Sequence, residues 1–572
     1  MITTDNKKKA VVLVDPISTP RRLIPIIHDK GLTPIVVFTN YSLHPENEVY
    51  ELSSLIDETI QDMTNEFGEY AVFINEPMEF SELFTTLSQY EVKAVIKGSD
   101  GGVRLGEQIA QAFKLPSNAE NFFDWAMDKN AVNQKLAEKK VRSIKTVICN
   151  RNDSVSSIIS KIGGIFPLFV KPSLGAGGAN SYTIYTENNL TRVLEEIFSL
   201  KAGDKYLYDE LLVQELIDGE EYVVNTYSEN GIHYVSDVWK YVKAVTKTGA
   251  FIYRNTILLK GKSVVKEDCV KYAIDVLNAL GFKEGPCHME IKVDTKGPVL
   301  IECNWRTMGG SQFYDKPVCL GLSQNELYLT TALDNKWLYT NARNKLAEYE
   351  YYCECLDVMP QVYGTVKKIN IPHLLKKLKS FHTDVIFIKE GHKVIPAQSI
   401  DDDLGNLQFM SKDYETIKKD TELFTEIEDN YLELFFEFEE TKDHELNLQP
   451  TSVQEYEVFK DFTNKEKVAV ITDEPDKFAD YEIIDDFHHA QHLKCKYILV
   501  DVKSVSKDIT ECYDFIDDIE KIVDQDTTIV FSNKTLNAAP YGFEYLLCLN
   551  NLTPIIPSDS RLVSGFSFWF KD

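Results

Sequence analysis

Three features are absent from this 572-residue sequence, and each absence excludes a class of protein. No apolar run approaches the roughly 20 residues that a membrane-spanning helix needs, so an integral membrane protein is not expected. The ten cysteines form no CxxC pair, which disfavours a zinc knuckle and favours free thiols in a reducing cytoplasm. Acidic residues outnumber basic ones by 89 to 61, and the net charge of −28 opposes binding to nucleic acid or anionic membranes.

The most informative segment that is present lies between Gly285 and Gly310, where two strand-like stretches read GPCHMEIKVD and GPVLIECNWRTMGG. Alternate side chains of a strand share a face, so Glu302 and Asn304 project together, and a turn lets Glu290 pair beside them. Two carboxylates and an amide are oxygen ligands that suit Mg²⁺. The pattern therefore predicts a magnesium site, the alternative being a hairpin whose solvent face is merely acidic.

Two further residues fall on the predicted metal-binding face. Arg306 lies two positions beyond Asn304 and can meet an anionic group. His288 lies two positions before Glu290, and three roles stay open for it: orienting a substrate carboxylate, accepting a proton from an amine, or bonding to a metal ligand. Both residues are therefore candidates for the chemistry itself.

A glycine-rich segment upstream, FPLFVKPSLGAGGANSYTIYT, has the character of a phosphate cradle. Lys171 ends an apolar strand, and the glycines after it allow backbone N–H groups to approach phosphate oxygens closely. The Walker spacing GxxxxGK[ST] is absent, and a strand follows the glycines where a P-loop has a helix. The tip of an ordinary hairpin is the alternative interpretation.

Two more elements complete the pattern. The stretch LLVQELIDGEEYVVNTY breaks at Asp218-Gly219, and its polar residues can meet an adenine edge and ribose hydroxyls, although charged residues that flank a strand are equally consistent. Asp128-Lys129 opens the helical stretch DKNAVNQKLAEKKV.

In this order the elements resemble the ATP-grasp superfamily, and within it the carboxylate–amine ligases of the bacilysin-synthetase and carnosine-synthase-like group. The resemblance covers roughly residues 8 to 440 and rests on the ordered set, since each motif alone is weak. It implies ATP and two Mg²⁺ ions as cofactors, with Mn²⁺ as a substitute. The ATP-binding residues that it implies, by phosphate, lid, adenine and ribose contact, are Lys129, Lys171, Ser173, Gly175, Gly177, Gly178, Gln214, Glu215, Ile217 and Glu221. It also implies that Glu290, Glu302 and Asn304 hold the metal and that Arg306 stabilises charge on the transferred phosphoryl group.

The resemblance implies a reaction that is consistent with elementary chemistry. A carboxylate is activated by attack on the γ-phosphorus of ATP, and an amine then displaces phosphate from the acyl phosphate; positioning and charge neutralisation are the main requirements. We expect an amino acid as carboxylate, an amine as second substrate, no nucleic-acid or membrane partner, and a homodimer because relatives are commonly dimers. Two alternatives stay open: a ligase that uses formate or bicarbonate, and a nucleotide-binding scaffold without activity.

The expected fold is α/β with an α+β ATP-grasp core. Strands and helices alternate at the start of the chain, which predicts a Rossmann-like parallel sheet. A two-lobed ATP-grasp domain with antiparallel sheets follows, and alternation resumes in a small C-terminal α/β domain of unknown role. The expected boundaries are 1–116 for the first domain, 117–222 for the small lobe, 223–448 for the large lobe and 455–572 for the last domain.

Overall fold

The computed structural model divides the chain into two compact units, which are described separately. The first comprises Met1–Val245, Phe251–Leu356 and Ser399–Asp401, and the second comprises the remaining residues. The residues that the structure describes are 7–40, 53–172, 180–202, 205–206, 208–245, 251–309, 323–334, 336–337, 349–397, 402–439, 451, 456, 459–460, 463, 467–484, 495–503, 505–506, 508–523, 527–539, 543–555 and 566–571.

The first unit begins with a parallel sheet in the strand order β3-β2-β1-β4. Three of its strands, β1, β2 and β4, are apolar and mostly buried, as expected when helices cover both faces of a parallel sheet. The predicted Rossmann-like start is thereby confirmed. The elements are β1 (Lys9–Val14), α1 (Leu23–Asp29), β2 (Thr33–Phe38), α2 (Ser53–Phe67), β3 (Val72–Asn75), α3 (Phe80–Leu87), β4 (Glu91–Lys97) and α4 (Gly102–Ala112).

A small antiparallel sheet follows, in the order β5-β10-β6-β7. Apolar residues of one face, among them Val170 and Val213, form a core with the helices beside it, which leaves Lys171 on the other face. The elements are α5 (Phe122–Ala126), α6 (Lys129–Glu138), β5 (Thr146–Asn150), α7 (Val155–Ile162), β6 (Leu168–Pro172), β7 (Tyr182–Ile184), α8 (Glu187–Ser199), β8 (Lys201–Ala202), β9 (Lys205–Tyr206) and β10 (Glu210–Glu215).

The largest sheet of the first unit has the strand order β15-β14-β11-β12-β13-β16, with antiparallel neighbours. One face packs in an apolar core with helix α9, and the opposite face is polar. The elements are β11 (Glu220–Glu229), β12 (Ile232–Val245), β13 (Phe251–Leu258), α9 (Val264–Leu280), β14 (Gly285–Asp294), β15 (Gly297–Asn304), α10 (Gln324–Leu333) and β16 (Tyr352–Asp357).

The second unit contains a three-stranded sheet, an antiparallel strand pair and a six-stranded C-terminal sheet. The last has the order β23-β22-β24-β25-β27-β26; β22 to β25 pair in parallel and β27 is antiparallel to both of its neighbours. Its elements are β17 (Gly364–Ile369), α11 (Ile371–Leu374), β18 (Phe381–Ile386), β19 (Lys393–Val394), β20 (Gly405–Ser411), α12 (Tyr414–Phe435), β21 (Phe436–Phe438), β22 (Val468–Thr472), β23 (Glu482–Ile483), β24 (Tyr497–Asp501), α13 (Ile509–Ile522), β25 (Thr528–Ser532), α14 (Asn533–Ala538), α15 (Phe543–Leu549), β26 (Leu552–Ile555) and β27 (Phe566–Lys571).

These sheets confirm the expected fold class, namely parallel strands at the start, antiparallel sheets in the middle and a small α/β unit at the end. The division into four domains at the boundaries given above stays a prediction. Within the described part of the chain, no helix combines the length and the apolar character needed to cross a membrane.

Candidate active site

Two rows of directly paired residues cross the polar face of the large sheet. In the first row His288 lies opposite Asn304 on one side and opposite Asn225 on the other. In the second row Glu290 lies opposite Glu302. Directly paired side chains of adjacent strands share a face, so the structure brings His288, Glu290, Glu302 and Asn304 together as the sequence predicted.

The register of the β14–β15 hairpin depends on a bulge. Glu290 pairs with Glu302, but Ile291 pairs with Leu300, so Ile301 is an extra residue in β15. A bulge changes the local direction of side chains and is common beside functional sites. Here it lets the two glutamates face each other, while Ile301 packs with Ile217 and Val299 in a small apolar cluster.

The pKa values of the two glutamates are shifted in opposite directions. Burial raises the pKa of Glu302, and the neighbouring Glu290 raises it further although Lys129 opposes the change. Burial also opposes ionisation of Glu290, but His288, Lys243 and Arg306 outweigh it and lower the pKa of that carboxyl. Two carboxylates in one buried site repel each other, so the pair favours a bound cation.

Lys129 and Lys171 reach this glutamate pair from two separate elements. Lys129 opens helix α6, where its Nζ lies 3.3 Å from Glu302 Oε1. Burial lowers the pKa of Lys171 to about 8, as does the Lys129 charge, while Glu302, Glu290 and Glu221 act in the opposite direction. The structure therefore groups both predicted phosphate-binding lysines with the predicted metal ligands.

Arg306 is held by Asp100, a residue in the turn after strand β4. Its Nε donates to Asp100 Oδ2 at 2.9 Å, and its Nη2 lies 2.8 Å from the same oxygen. Burial disfavours the charged guanidinium, but Asp100 outweighs this and raises the pKa of Arg306. Asp100 follows the carboxyl end of β4, which is the edge where open α/β sheets place ligands.

Glu221, the predicted ribose ligand, lies buried on the same polar face. Its Oε2 accepts a hydrogen bond from Lys243 Nζ at 2.9 Å, and its Oε1 accepts one from the Tyr253 hydroxyl at 3.3 Å. The Lys243 ammonium also lies 4.4 Å from the centre of the Tyr253 ring. A ribose hydroxyl at Glu221 would thus share the carboxylate with these two residues.

The predicted adenine contacts lie where β10 ends. The Gln214 side chain donates from Nε2 to Thr146 Oγ1 at 2.9 Å, and the Glu215 carboxylate accepts the backbone N–H of Lys145 at 2.9 Å. The backbone oxygen of Ile217 accepts a hydrogen bond from Lys292 Nζ at 3.2 Å. Both predicted side chains thus already have partners in the protein, and their contact with adenine stays a prediction.

The predicted lid lies outside the described residues. Strand β6 ends at Pro172, and the described part of the chain resumes at residue 180. The four lid predictions that fall there are Ser173, Gly175, Gly177 and Gly178.

The donor set fits magnesium. No group of three or more His, Cys, Asp or Glu side chains converges as a metal centre in the described ranges. The predicted set has two carboxylates and the Asn304 amide, and Mg²⁺ characteristically takes one or two carboxylates and fills its shell with water and phosphate oxygens. Glu290, Glu302 and Asn304 would therefore hold magnesium together with a nucleotide.

Sequence reasoning missed the partners that hold these side chains. Asn225 binds His288 from β11, and Asp237 binds Asn225 from β12. Asp100 binds Arg306 from a position 206 residues earlier in the chain, a separation that no local pattern reveals. The one signal in the sequence was Asp237, a carboxylate among apolar residues of β12, because acidic side chains are rarely buried without a partner.

Comparison with known proteins identifies the class. Residues 165–315 match the family model described as an ATP-grasp domain, and they include Lys171, Glu221, the glutamate pair and Arg306. An L-amino acid ligase from Bacillus licheniformis has the same fold, with a TM-score of 0.56 at 16% identity over 74% of this chain and 98% of that one. The chain therefore contains an ATP-grasp domain, which confirms the superfamily resemblance seen in the sequence.

Two sequence relatives narrow the class. Dapdiamide A synthase of Enterobacter agglomerans is 26% identical over 320 residues, which are 56% of this chain and 72% of the relative. The L-arginine-specific L-amino acid ligase of Bacillus subtilis is 24% identical over 289 residues, 49% of this chain and 66% of the relative. The chain is thus similar in sequence to one protein named as a synthase and to one named as an amino acid ligase.

Proposed function

We propose that this enzyme joins the carboxylate of an amino acid to an amine, with ATP converted to ADP and phosphate. The observation that carries the proposal is the grouping of Lys129 and Lys171 with the Glu290–Glu302 pair on one face of a sheet. Lysines and a bound metal ion neutralise the charge that develops on a triphosphate during phosphoryl transfer. The names of the two sequence relatives favour an amino acid as the carboxylate substrate.

The reaction proceeds in two displacements. A carboxylate oxygen of the amino acid attacks the γ-phosphorus, the bond to the β-phosphate oxygen breaks, and ADP leaves. The amine nitrogen then attacks the acyl carbon, the C–O bond to the phosphoryl group breaks, and inorganic phosphate leaves. The amine loses one proton in this step, and in this proposal His288 accepts it.

Each proposed residue has one task. Lys129 and Lys171 bind phosphate oxygens, and Arg306 neutralises the acyl phosphate. Magnesium, two ions in this proposal, would be held by Glu290, Glu302 and Asn304 and would supply charge neutralisation between the phosphates. The nucleoside is bound by Gln214, Glu215, Ile217 and Glu221, and the glycines after Ser173 close over the phosphates.

The same proposal includes the four-domain division, a homodimer and a cytoplasmic location.

The proposal is tested with the purified chain, Mg-ATP and a panel of amino-acid pairs. We expect ADP and phosphate to appear only when a suitable pair is present, together with a product of the summed mass less one water. With an ¹⁸O-labelled carboxylate, one labelled oxygen should appear in the phosphate. Release of AMP and pyrophosphate would contradict the acyl-phosphate route.

Glu302→Gln supplies the site-directed test. This variant removes a negative charge from the predicted metal site, so turnover should fall by at least about 100-fold. Glu284→Gln is the matched control: burial raises the pKa of Glu284 to about 7, so it is already partly protonated near neutrality, and its turnover should stay near that of the wild type. Full activity in Glu302→Gln would mean that the metal site lies elsewhere.

A further inference from the structure

The turn after β4 lies at the switch point of the first parallel sheet. From β1 the chain continues to β2 and β3 on one side and then returns to β4 on the other side, which gives the order β3-β2-β1-β4. Open α/β sheets bind ligands in the crevice beyond the carboxyl ends of the two strands at such a point. Val14 ends β1 and pairs with Lys97, which ends β4, so the crevice is expected beyond these two residues.

Three segments of the chain meet beyond these strand ends. The turn after β4 packs against the segment after β1, because a Cβ at Gly98 would lie only 2.5 Å from the backbone oxygen of Asp15. The loop after β15 joins them, since Thr19 Oγ1 donates to the backbone oxygen of Met308 at 3.1 Å. Arg306 belongs to that loop, so its guanidinium lies where the first sheet and the large sheet approach each other.

Arg306 keeps part of its guanidinium available for an anion. Its Nε donates to Asp100 Oδ2 at 2.9 Å, Nη2 lies 2.8 Å from the same oxygen, and Nη1 donates to the backbone oxygen of Thr307 at 3.0 Å. A guanidinium has five N–H groups, of which each terminal nitrogen carries two. One N–H group on each terminal nitrogen is therefore left, and such a pair fits a planar carboxylate.

Asp100 has a carboxylate oxygen available beside that pair of N–H groups. Both contacts with Arg306 are made through Oδ2, and within the described residues no hydrogen bond is made to Oδ1. The Asp100 side chain is 42% exposed, whereas that of Arg306 is 20% exposed. A ligand that enters the crevice can therefore reach Oδ1 of Asp100 and the guanidinium of Arg306 together.

The negative charge of Asp100 is unfavourable for the site as described so far. Asp100 acts electrostatically on Glu302, so it adds a negative charge near the Glu290–Glu302 pair. Like charges in one site repel each other, which costs free energy. Asp100 also offsets the charge of Arg306, which is proposed to neutralise the acyl phosphate. Both effects disfavour a carboxylate at this position unless it also binds a cationic group.

An α-amino acid is complementary to these two side chains. Its carboxylate and its ammonium group are attached to the same carbon atom, so they present opposite charges side by side. Arg306 and Asp100 present the reverse pattern, because the carboxylate of Asp100 is in direct contact with the guanidinium of Arg306. The substrate carboxylate can accept from Arg306 while the ammonium group donates to Asp100 Oδ1.

We propose that Asp100 recognises the α-ammonium group of the amino acid whose carboxylate is activated, while Arg306 holds that carboxylate. The substrate class is then a zwitterionic α-amino acid with a free amino group, and an acid without that group loses the contact with Asp100. The inference rests on the proposed function, and it adds the determinant by which the site selects its carboxylate substrate.

Hydroxylamine makes the first substrate measurable without knowledge of the second. Its nitrogen attacks the acyl carbon of the acyl phosphate and loses a proton, phosphate leaves, and a hydroxamate forms. With Mg-ATP and hydroxylamine, each standard amino acid is compared with the same acid lacking the α-amino group, for example L-alanine with propionate. We expect the wild type to prefer the amino acid by at least about 100-fold in kcat/KM, because the other acid leaves a charged group of the site without its partner.

Asp100→Asn is the main variant, and Glu76→Gln is its matched control. Glu76 follows β3 at the same edge of the first sheet, away from the switch point, and accepts the backbone N–H of Asn40 at 2.7 Å. In Asp100→Asn the preference for the amino acid should fall by about 10- to 100-fold, as expected for a lost hydrogen bond between charged groups. The KM for ATP should stay within about twofold, and Glu76→Gln should keep the preference of the wild type.

The preference separates recognition of the ammonium group from mere support of Arg306. If Asp100 only orients Arg306, Asp100→Asn should lose activity equally with the amino acid and with the acid that lacks the amino group. The ratio of their kcat/KM values would then equal that of the wild type. An unchanged ratio would overturn the inference, and so would a wild type that activates both acids equally well.

A binding measurement separates this inference from the proposed function. The same pairs of acids are titrated calorimetrically into protein with Mg²⁺ and a non-hydrolysable ATP analogue, which requires no turnover. We expect the wild type to bind the amino acid at least about tenfold more tightly than its partner acid, and Asp100→Asn to lose this advantage. An advantage that depends on Asp100 without any ADP release from ATP would overturn only the proposed function. Equal advantages in the wild type and the variant would overturn the inference.

Discussion

At the scale of the residue, Lys171 has a charge that depends on its surroundings. It projects from β6 toward the glutamate pair, and burial lowers its pKa to about 8 from the ordinary lysine value of about 10.4. Burial disfavours the ammonium, while Glu302, Glu290 and Glu221 favour it. The protonated form, which binds phosphate, is therefore half populated at about pH 8 and becomes nearly complete about one pH unit lower.

This balance predicts weaker ATP binding in mild alkali. Lys171 is charged below its pKa and neutral above it, so the dissociation constant should rise about fivefold between pH 8 and pH 9 for a single group. Fluorescence or calorimetric titration at constant ionic strength measures it. In Lys171→Arg the charge persists, so the pH dependence should flatten; an unchanged profile would show that another group titrates.

Residue by residue, the sequence predicted what depends on strand alternation. Glu302 and Asn304 could be placed on one face because alternate side chains must share it, and His288 with Glu290 followed in the same way. Asn225 could not be found, and Asp237 was visible only as a carboxylate among apolar residues, because they precede His288 by 63 and 51 positions and their contacts depend on strand order. The bulge at Ser236 of β12 also breaks the period-2 pattern, which no local rule anticipates.

At the scale of the element, helix α6 positions Lys129 through its first turn. Asp128 caps the helix, and its Oδ1 accepts the N–H groups of Asn130 at 2.7 Å and of Ala131 at 3.1 Å. The cap fixes the direction of the helix start, and so the point from which the Lys129 side chain leaves. The sequence placed this helix start correctly because Asp before a helical stretch is a recognised N-cap signal.

The cap predicts a loss of both stability and ATP affinity in Asp128→Ala. Removing an N-cap typically costs about 1 kcal/mol, and the freed helix start should weaken ATP binding by about fivefold. Ser263 caps α9 by accepting the N–H of Lys266 at 3.3 Å, so Ser263→Ala is a matched control. Thermal melts should show a comparable loss in both variants, and ATP titration should show weakening only in the first. If the two variants bind ATP with equal affinity, the Asp128 cap does not position Lys129 for ATP binding.

At the scale of the whole molecule, the described site residues all belong to the first unit. They come from the small sheet, the large sheet, helix α6 and the turn after β4, so the site depends on long-range order rather than on one motif. The order of motifs was sufficient to predict the class of enzyme. The role of the second unit could not be predicted, because its alternating strands and helices specify an α/β fold without a characteristic site.

Nucleotide binding should therefore protect the first unit from hydrogen exchange. With Mg-ATP at about 100 times its dissociation constant, the bound state gains roughly 2.7 kcal/mol, which can slow exchange by up to about 100-fold where opening breaks the site. Peptides that contain β6, β14 and β15 should show this protection in mass spectrometry. Peptides of the C-terminal sheet, β22 to β27, should exchange at the same rate with and without nucleotide.

The Glu302→Gln protein, which lacks one charge of the predicted metal site, is the control. It should lose most of the magnesium-dependent protection, while its exchange without nucleotide should equal that of the wild type. Protection confined to the C-terminal sheet would place the nucleotide in the second unit and contradict the site assigned to the glutamate pair.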